Sequence, residues 1–356
     1  MVTNTSGDRA VKEARFWRVE GDRVQCQLCP HSCRILPTRR GICGVRENRG
    51  GRLYSLNYGL ASSMHVDPIE KKPLFHFYPG SNALSLGSVG CTFRCLHCQN
   101  YSISMALLNE YNLIELRPED VPRRAIERGC QGIAFTYNEP TIWHEFNYDV
   151  CRLAKDRGLY TAYVTNGYIQ EAPLRELAPY LDAMNIDVKG FTERFYREVC
   201  KASLQPVLET VRLAHSLNIH IELTYLIIPG KNDTEEEIRS FAQWCAELDP
   251  RVPVHFTRFH PDYLLTDVPP TPIDTMNMAK RVGKEEGLKF IYMGNVYIPH
   301  GEDTFCPKCG SLLVKRNGFS MTLQETREGH CPHCGEDLYM VQSKEQSEHM
   351  KEPMSR

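Results

Sequence analysis

An α/β fold built on an incomplete (β/α)6 TIM-like barrel, with a four-cysteine module before it and a zinc ribbon after it, is what this 356-residue sequence predicts. Three observations predict it. β-Rich apolar runs alternate with helix-periodic segments through the middle of the chain. Eleven of the 15 cysteines fall in three tight clusters. Those clusters stand before, at the start of, and after the alternating region, which divides the chain into residues 1–80, 81–300, 301–340 and a tail at 341–356.

The first cluster reads CQLCPHSC and then GICG, placing Cys26, Cys29, Cys33 and Cys43 in one short module. Zinc or a second [4Fe-4S] cluster would suit these four ligands, and the spacing does not decide between them; zinc, or another single metal, is slightly favoured. The second cluster, GCTFRCLHCQN, holds Cys91, Cys95 and Cys98 directly after the strand-like run ALSLGSVG. Six more such runs follow: QGIAFTY, LYTAYVT, DAMNIDV, IHIELTYLII, VPVHFTRF and KFIYM. Between them the periodicity changes. Ile142, Phe146, Val150 and Leu153 share one helical face, and DTEEEIRSF opens with an Asp or Thr cap and acidic residues in its first turn. Strand and helix in alternation imply right-handed βαβ units and a parallel sheet, with the chemistry at the strands' C-terminal ends.

The third cluster pairs CPKCG with CPHCG, so Cys306 and Cys309 stand about twenty residues from Cys331 and Cys334. That is zinc-ribbon spacing, and a segment so poor in apolar residues needs the metal to fold; a mononuclear rubredoxin-like iron is the other candidate. The tail after residue 340 is charged and is expected to be disordered. Cys130, Cys151, Cys200 and Cys245 are isolated and read as small buried residues.

Composition excludes several functions. Forty-two basic side chains against 44 acidic ones leave a net charge of -2 with no basic run, so polynucleotide binding is not expected. No apolar stretch is long enough for a membrane span, and no signal-peptide core follows the amino terminus. A cytoplasmic location is the default, and there clustered cysteines bind metals rather than form disulfides.

Three thiolates spaced C-x3-C-x2-C can hold three corners of a [4Fe-4S] cube and leave one iron without a protein ligand. An open coordination position invites a cofactor or substrate. The plainer alternative is zinc, for which His97 is the nearest fourth ligand, but its place beside Cys98 makes convergence awkward.

At this motif the sequence resembles the radical S-adenosylmethionine superfamily, with His97 in the slot usually aromatic. CTFRCLHCQN looks like the loop of the glycyl-radical-enzyme activases, such as pyruvate formate-lyase activating enzyme. Later segments resemble the family's motifs in order: TYNEP its Gly-Gly-Glu segment, YVTNGY its third strand, NIDVKG its fourth. The resemblance implies cofactor contacts at Asn138, Glu139, Asn166, Asp187, Lys189 and His260, with Asn138 departing from glycine. It also implies a flavodoxin or ferredoxin as reductant. Together with CPHSC, HCQN, GNVY at 294–297 and the ribbon, most of the chain resembles the radical enzymes of the AmmeMemoRadiSam system, which implies AMMECR-type and Memo-type partner proteins.

Each residue also has a plainer use. Glu139 before Pro140 can cap a helix, Asp187 and Lys189 share a strand face as a local ion pair would, and His97 and His260 can be satisfied core or surface histidines. The activity that the resemblance implies is reductive cleavage of S-adenosylmethionine followed by hydrogen abstraction, with activation of a glycyl radical enzyme as the nearest catalytic analogy; modification of a small molecule or peptide, and a non-catalytic iron-sulfur or zinc scaffold, are the rivals.

Overall fold

The computed structural model describes residues 11–342. Its centre is an eight-stranded sheet. The strands are β1 (Ser63–Pro68), β2 (Asn82–Gly87), β3 (Gly132–Phe135), β4 (Tyr160–Thr165), β5 (Ala183–Asp187), β6 (His220–Ile227), β7 (Val254–Arg258) and β8 (Ile291–Gly294). They lie in sequence order; β1 pairs antiparallel with β2, and all other pairings are parallel. Six crossovers carry helices α1 (Asp120–Glu127), α2 (His144–Lys155), α3 (Glu171–Leu177), α4 (Gln205–Ser216), α5 (Glu235–Leu248) and α6 (Ile273–Glu285). Strands β1 and β8 do not pair, so the barrel is open.

The expected seven apolar runs are the seven parallel strands. They read as continuous hydrophobic stretches because helices cover one face and the barrel interior the other; seven of the eight residues of β6 are buried. Helix α5 begins as expected at a Thr cap, with the Thr234 side chain accepting from the Glu237 amide, and it buries Ile238 and Phe241. Helix α2 turns its stripe slightly from the expected one: Phe146, Val150 and Ala154 are fully buried, while Leu153 is only half-buried.

Strand β1 comes from the segment assigned to the amino-terminal module, so the barrel sheet starts at residue 63 rather than 81. The physical reason is the open edge of β2, whose backbone groups need a partner. The module proper folds as two three-stranded antiparallel sheets around Ala14, Val24, Leu28, Ile35 and Leu53. It is fastened to α2 by a buried ion pair, Arg46 to Glu145 at 2.5 Å.

The barrel floor is closed by the chain between β1 and β2. Small residues Ala83, Ala134, Ala162 and Ala183 make room for Leu74 and Phe77. Glu222, buried in β6, accepts the amides of Phe75 (3.0 Å) and His76 (2.7 Å) and the Nε2 atoms of His255 (2.7 Å) and His220 (3.2 Å). The carboxy-terminal ribbon packs beneath, with Leu313, Val314, Leu338 and Met340 against Phe75, Phe290 and Tyr292. Val341, placed by sequence in the tail, bridges to Phe77; the expected disorder from residue 343 onward lies outside the described residues. Among the described residues no helix is long and apolar enough to cross a membrane.

Candidate active site

The cysteine loop leaves the C-terminal end of β2 at Gly90. A side chain there would meet the Cys43 carbonyl at 2.4 Å, and its φ is +95°, so only glycine lets the amino-terminal module approach this closely. Arg94 then staples the loop, donating to the carbonyls of Cys91 and Phe93 (both 2.8 Å) and to that of Ile42 in the module. On the other side the amides of Arg94 and Leu96 donate to the carbonyls of Cys200 and Val199. The loop is therefore held from both flanks.

So fixed, Cys91, Cys95 and Cys98 form part of the wall of a cavity of about 550 Å³ at the mouth of the barrel. Burial, then the nearby Glu139 carboxylate, pushes the Cys91 thiol up. A hydrogen bond with Cys200, then burial, does the same to Cys95, and burial raises Cys98. Thiols so raised favour the protonated form, and binding of a metal cation to the sulfur is what would release the proton. Two N–H groups already face the Cys91 sulfur: the Phe93 amide at 3.4 Å and Asn166 Nδ2 at 3.8 Å.

The same cavity collects His97, Asn138, Glu139, Asn166, Asp187 and Lys189. His97 is 5% exposed and its Nδ1 has no hydrogen-bond partner; burial, then Lys189, lowers its pKa to about 3, so the ring is neutral. Asn138 does not crowd the mouth. Its side chain turns back to the loop, accepting from the Ser88 amide (3.0 Å) and donating to the Gly90 carbonyl (2.8 Å). Glu139 caps the following turn at the Thr141 amide (2.9 Å) and also accepts from the Thr165 hydroxyl (2.8 Å) and the Asn166 amide (2.8 Å), tying β3 to β4. Its burial raises its pKa. Asp187 and Lys189 form an ion pair of 2.6 Å. Burial works against the lysine charge, but Asp187, Cys95 and Cys200 together outweigh it and raise Lys189 overall.

His260 stands apart: it is exposed, outside the cavity wall, and contacts Gln99 at 2.9 Å. In the GNVY segment, Asn295 lines the cavity whereas Tyr297 is 88% exposed.

Several wall residues carried no signal in the sequence. Lys71 and Lys72 rise from the floor segment into the cavity, both paired with Asp67 (2.9 and 2.6 Å). Burial lowers Lys72 to about 8. Tyr137, also in the wall, has φ +73°, the left-handed region favoured by glycine; its hydroxyl bond to Asp67 (2.6 Å) holds it there. A lysine doublet before a proline looks solvated in sequence, and nothing local shows that the barrel will enclose it.

The radical SAM superfamily profile matches residues 86–245, the stretch from the end of β2 through most of α5. An uncharacterized protein of Methanocaldococcus jannaschii is 46% identical over 93% of this chain and 100% of its own length. The chain belongs to the radical SAM superfamily. A pyruvate formate-lyase-activating enzyme of Clostridium pasteurianum is 23% identical over 56% of this radical SAM chain and 87% of its own. A crystallised domain of a pyruvate-formate lyase-activating enzyme from Bacteroides vulgatus overlays 46% of this chain and 99% of its own at 19% identity and a TM-score of 0.41.

The superfamily implies a [4Fe-4S] cluster and S-adenosylmethionine, and the cavity fits both. Cys91, Cys95 and Cys98 are the three thiols on its wall, and His97 Nδ1 is a buried polar atom still lacking a partner. The ribbon thiols are arranged differently. The sulfurs of Cys306, Cys309, Cys331 and Cys334 lie within 4.8 Å of one another, with Cys306 to Cys334 at 3.5 Å and Cys309 to Cys331 at 3.7 Å. Four sulfurs around one zinc at 2.3 Å stand about 3.8 Å apart, so a single tetrahedral ion fits here. The ribbon lies under the floor, away from the mouth.

Proposed function

We propose that this chain reductively cleaves S-adenosylmethionine and uses the resulting radical to abstract hydrogen from a substrate. The observation that carries the proposal is the conjunction at the barrel mouth of three thiols, a neutral imidazole with an unpartnered nitrogen, and a cavity of about 550 Å³, within the usual range for small-molecule sites. Cys91, Cys95 and Cys98 would hold the [4Fe-4S] cluster, which supplies the electron that splits the sulfonium and yields a 5′-deoxyadenosyl radical.

The chain's own groups position and exclude. His97 and Asn166 face the cofactor side of the cavity beside the cysteines, and the Asp187–Lys189 pair offers one acceptor and one donor to ribose or carboxylate oxygens. Glu139, in the cavity wall, fixes the ends of β3 and β4, with two protein donors on Oε1 and one on Oε2, and that second oxygen keeps capacity to accept from the cofactor amino group. His260 at the rim, through Gln99, would touch the cofactor only from outside the wall. In the ribbon, Cys306, Cys309, Cys331 and Cys334 would hold zinc with a folding role, since they seal the floor.

The relatives favour one substrate class. A pyruvate formate-lyase-activating enzyme and a second relative named for activating a glycyl-radical enzyme support hydrogen abstraction from a glycine of a partner protein; the electron donor for that reaction would be a flavodoxin or ferredoxin. Radical modification of a small molecule or peptide held by AMMECR-type or Memo-type partners is the second reading, favoured by Lys71 and Lys72 in the wall, which suit an anionic substrate. The test is anaerobic reconstitution, reduction with dithionite and quantification of 5′-deoxyadenosine. Formation of it supports the proposal; a fully iron-loaded protein that forms none is a scaffold instead. A glycyl radical signal on an added partner then separates the two substrate classes.

A further inference from the structure

The cavity has a basic wall that cofactor binding leaves unused. Lys71 and Lys72 belong to the chain between β1 and β2, and Tyr137 follows β3, so this wall lies on the β1 to β3 side, whereas Asp187 and Lys189 follow β5. It also lies deeper. Asn185 stands two residues before Asp187 on β5, on the same face and about 7 Å nearer the floor. Its Nδ2 donates to the Pro73 carbonyl at 2.8 Å, which fixes the level at which Lys72, the residue before, enters the cavity.

Asp67 anchors this wall. Its Oδ1 accepts from Lys71 at 2.9 Å, and its Oδ2 from Lys72 and from the Tyr137 hydroxyl, both at 2.6 Å. Two ammonium groups thus share one carboxylate, and the cluster carries one positive charge in excess. The other acids of the wall are committed elsewhere, Asp187 to Lys189 and Glu139 to the ends of β3 and β4. The Lys72 side chain is 2% exposed, and of its three donors one meets Asp67 while the Tyr137 ring stands 4.8 Å from Nζ. A buried cation only half neutralised costs free energy until an anion joins it. Tyr137 adds a second observation: its left-handed backbone, held through Asp67, is strain of the kind that persists where a ligand site needs it. Fastening the floor segment to β1 needs one lysine, not two.

We propose that Lys71 and Lys72 bind the carboxylate or phosphate group of a small-molecule substrate, and that the hydrogen is taken from this molecule rather than from a protein glycine. The proposal rests on the reading of the mouth as the place where the radical forms. A lysine head is a point charge with rotatable donors, so either oxyanion suits it. With its anionic group held on the deep wall, the rest of the molecule extends toward the cysteines at the mouth; a glycine within a polypeptide brings no such group. Asp67 and Tyr137 are positioning residues that aim the two ammonium groups. In the reaction the 5′-deoxyadenosyl radical takes a hydrogen atom, its new C–H bond forming as the substrate's breaks, and the substrate becomes a carbon radical with its anionic group unchanged.

The test is calorimetric titration of the reconstituted full chain with inorganic phosphate and, separately, with succinate. The wild type is expected to bind at least one of them, Lys72→Met to weaken that binding about tenfold or more, and Lys72→Arg to restore most of it. Lys71→Met, at a half-exposed residue whose loss leaves Asp67 paired with Lys72, should weaken it a few-fold and decides the matter if Lys72→Met does not fold. Tighter phosphate binding marks a phosphorylated substrate and tighter succinate binding a carboxylic acid; both support the proposal. No binding by the wild type, or binding that the folded variants leave unchanged, overturns it. So does an equal loss of S-adenosylmethionine affinity in Lys71→Met, because the lysines would then hold the cofactor's own carboxylate. The outcome separates from that for the mouth: wild-type chain that forms 5′-deoxyadenosine but binds neither anion loses this wall alone, and chain that binds the anion through the lysines but forms none loses the cleavage alone.

Discussion

At the floor of the barrel the buried carboxylate of Glu222 and the ribbon thiols have their partners in place, and at the mouth one buried imidazole does not. Glu222 is satisfied by two backbone amides and two imidazoles, and the ribbon thiols touch one another. At the mouth, three thiols face a cavity and His97 keeps a free nitrogen. A buried polar group costs free energy unless it is paired, so a floor with its partners in place is structure and a mouth without them is built for ligands. The two ends therefore use the same residue types, cysteine and histidine, for opposite purposes.

The sharpest way to break that contrast is to exchange defects between the two ends. Cys95→Ala is expected to abolish 5′-deoxyadenosine formation while leaving ribbon zinc, measured by metal analysis, and thermal stability nearly unchanged. Cys331→Ser is expected to do the reverse: zinc is lost and the unfolding midpoint drops by roughly 10 °C, because a structural zinc contributes several kcal/mol to folding. Cofactor cleavage per folded, iron-loaded chain should survive. Equal loss of cleavage in both variants would erase the distinction.

Next in size is the floor carboxylate. Burial opposes its charge, but hydrogen bonds from His220 and His255 hold Glu222 well below the usual carboxylate range. A depressed pKa contributes stability that is present above the unfolded value of about 4.3 and is lost as pH falls below it. Glu222→Gln should cost about 3–5 kcal/mol at neutral pH, by denaturant titration, and should flatten the acid limb of the stability profile. An acid limb as steep as that of the wild type would assign the dependence to other groups.

The smallest expected effect concerns Asn138. Its two hydrogen bonds to Ser88 and Gly90 replace what glycine would leave to backbone alone. Asn138→Gly should lower stability by about 1–2 kcal/mol and weaken cofactor binding only a few-fold, by calorimetry. A large gain in affinity would mean that the side chain obstructs the site.

Much of this was legible before the structure. The seven parallel strands announced themselves because both faces of each are covered, which leaves long apolar runs, and the cysteine clusters showed in their spacing alone. The loop's neighbours did not. Lys71 and Lys72 reach the cavity, held by Asp67, from a segment that sequence assigns to a separate module, because pairing of β1 with β2 is non-local and the plug beneath the barrel is set by four alanines on four strands. Tyr137 in a left-handed conformation is invisible without the Asp67 contact that holds it. His260 matches a motif position, yet the turn after β7 carries it outside the wall.

The most direct test is Mössbauer spectroscopy of the isotopically iron-labelled chain, with the amino-terminal quartet changed to serine so that only the mouth is read. Addition of S-adenosylmethionine should shift the signal of one iron out of four, the one that Cys91, Cys95 and Cys98 leave free. Four irons that stay alike in its presence, or a mouth that takes up a lone zinc, would contradict it.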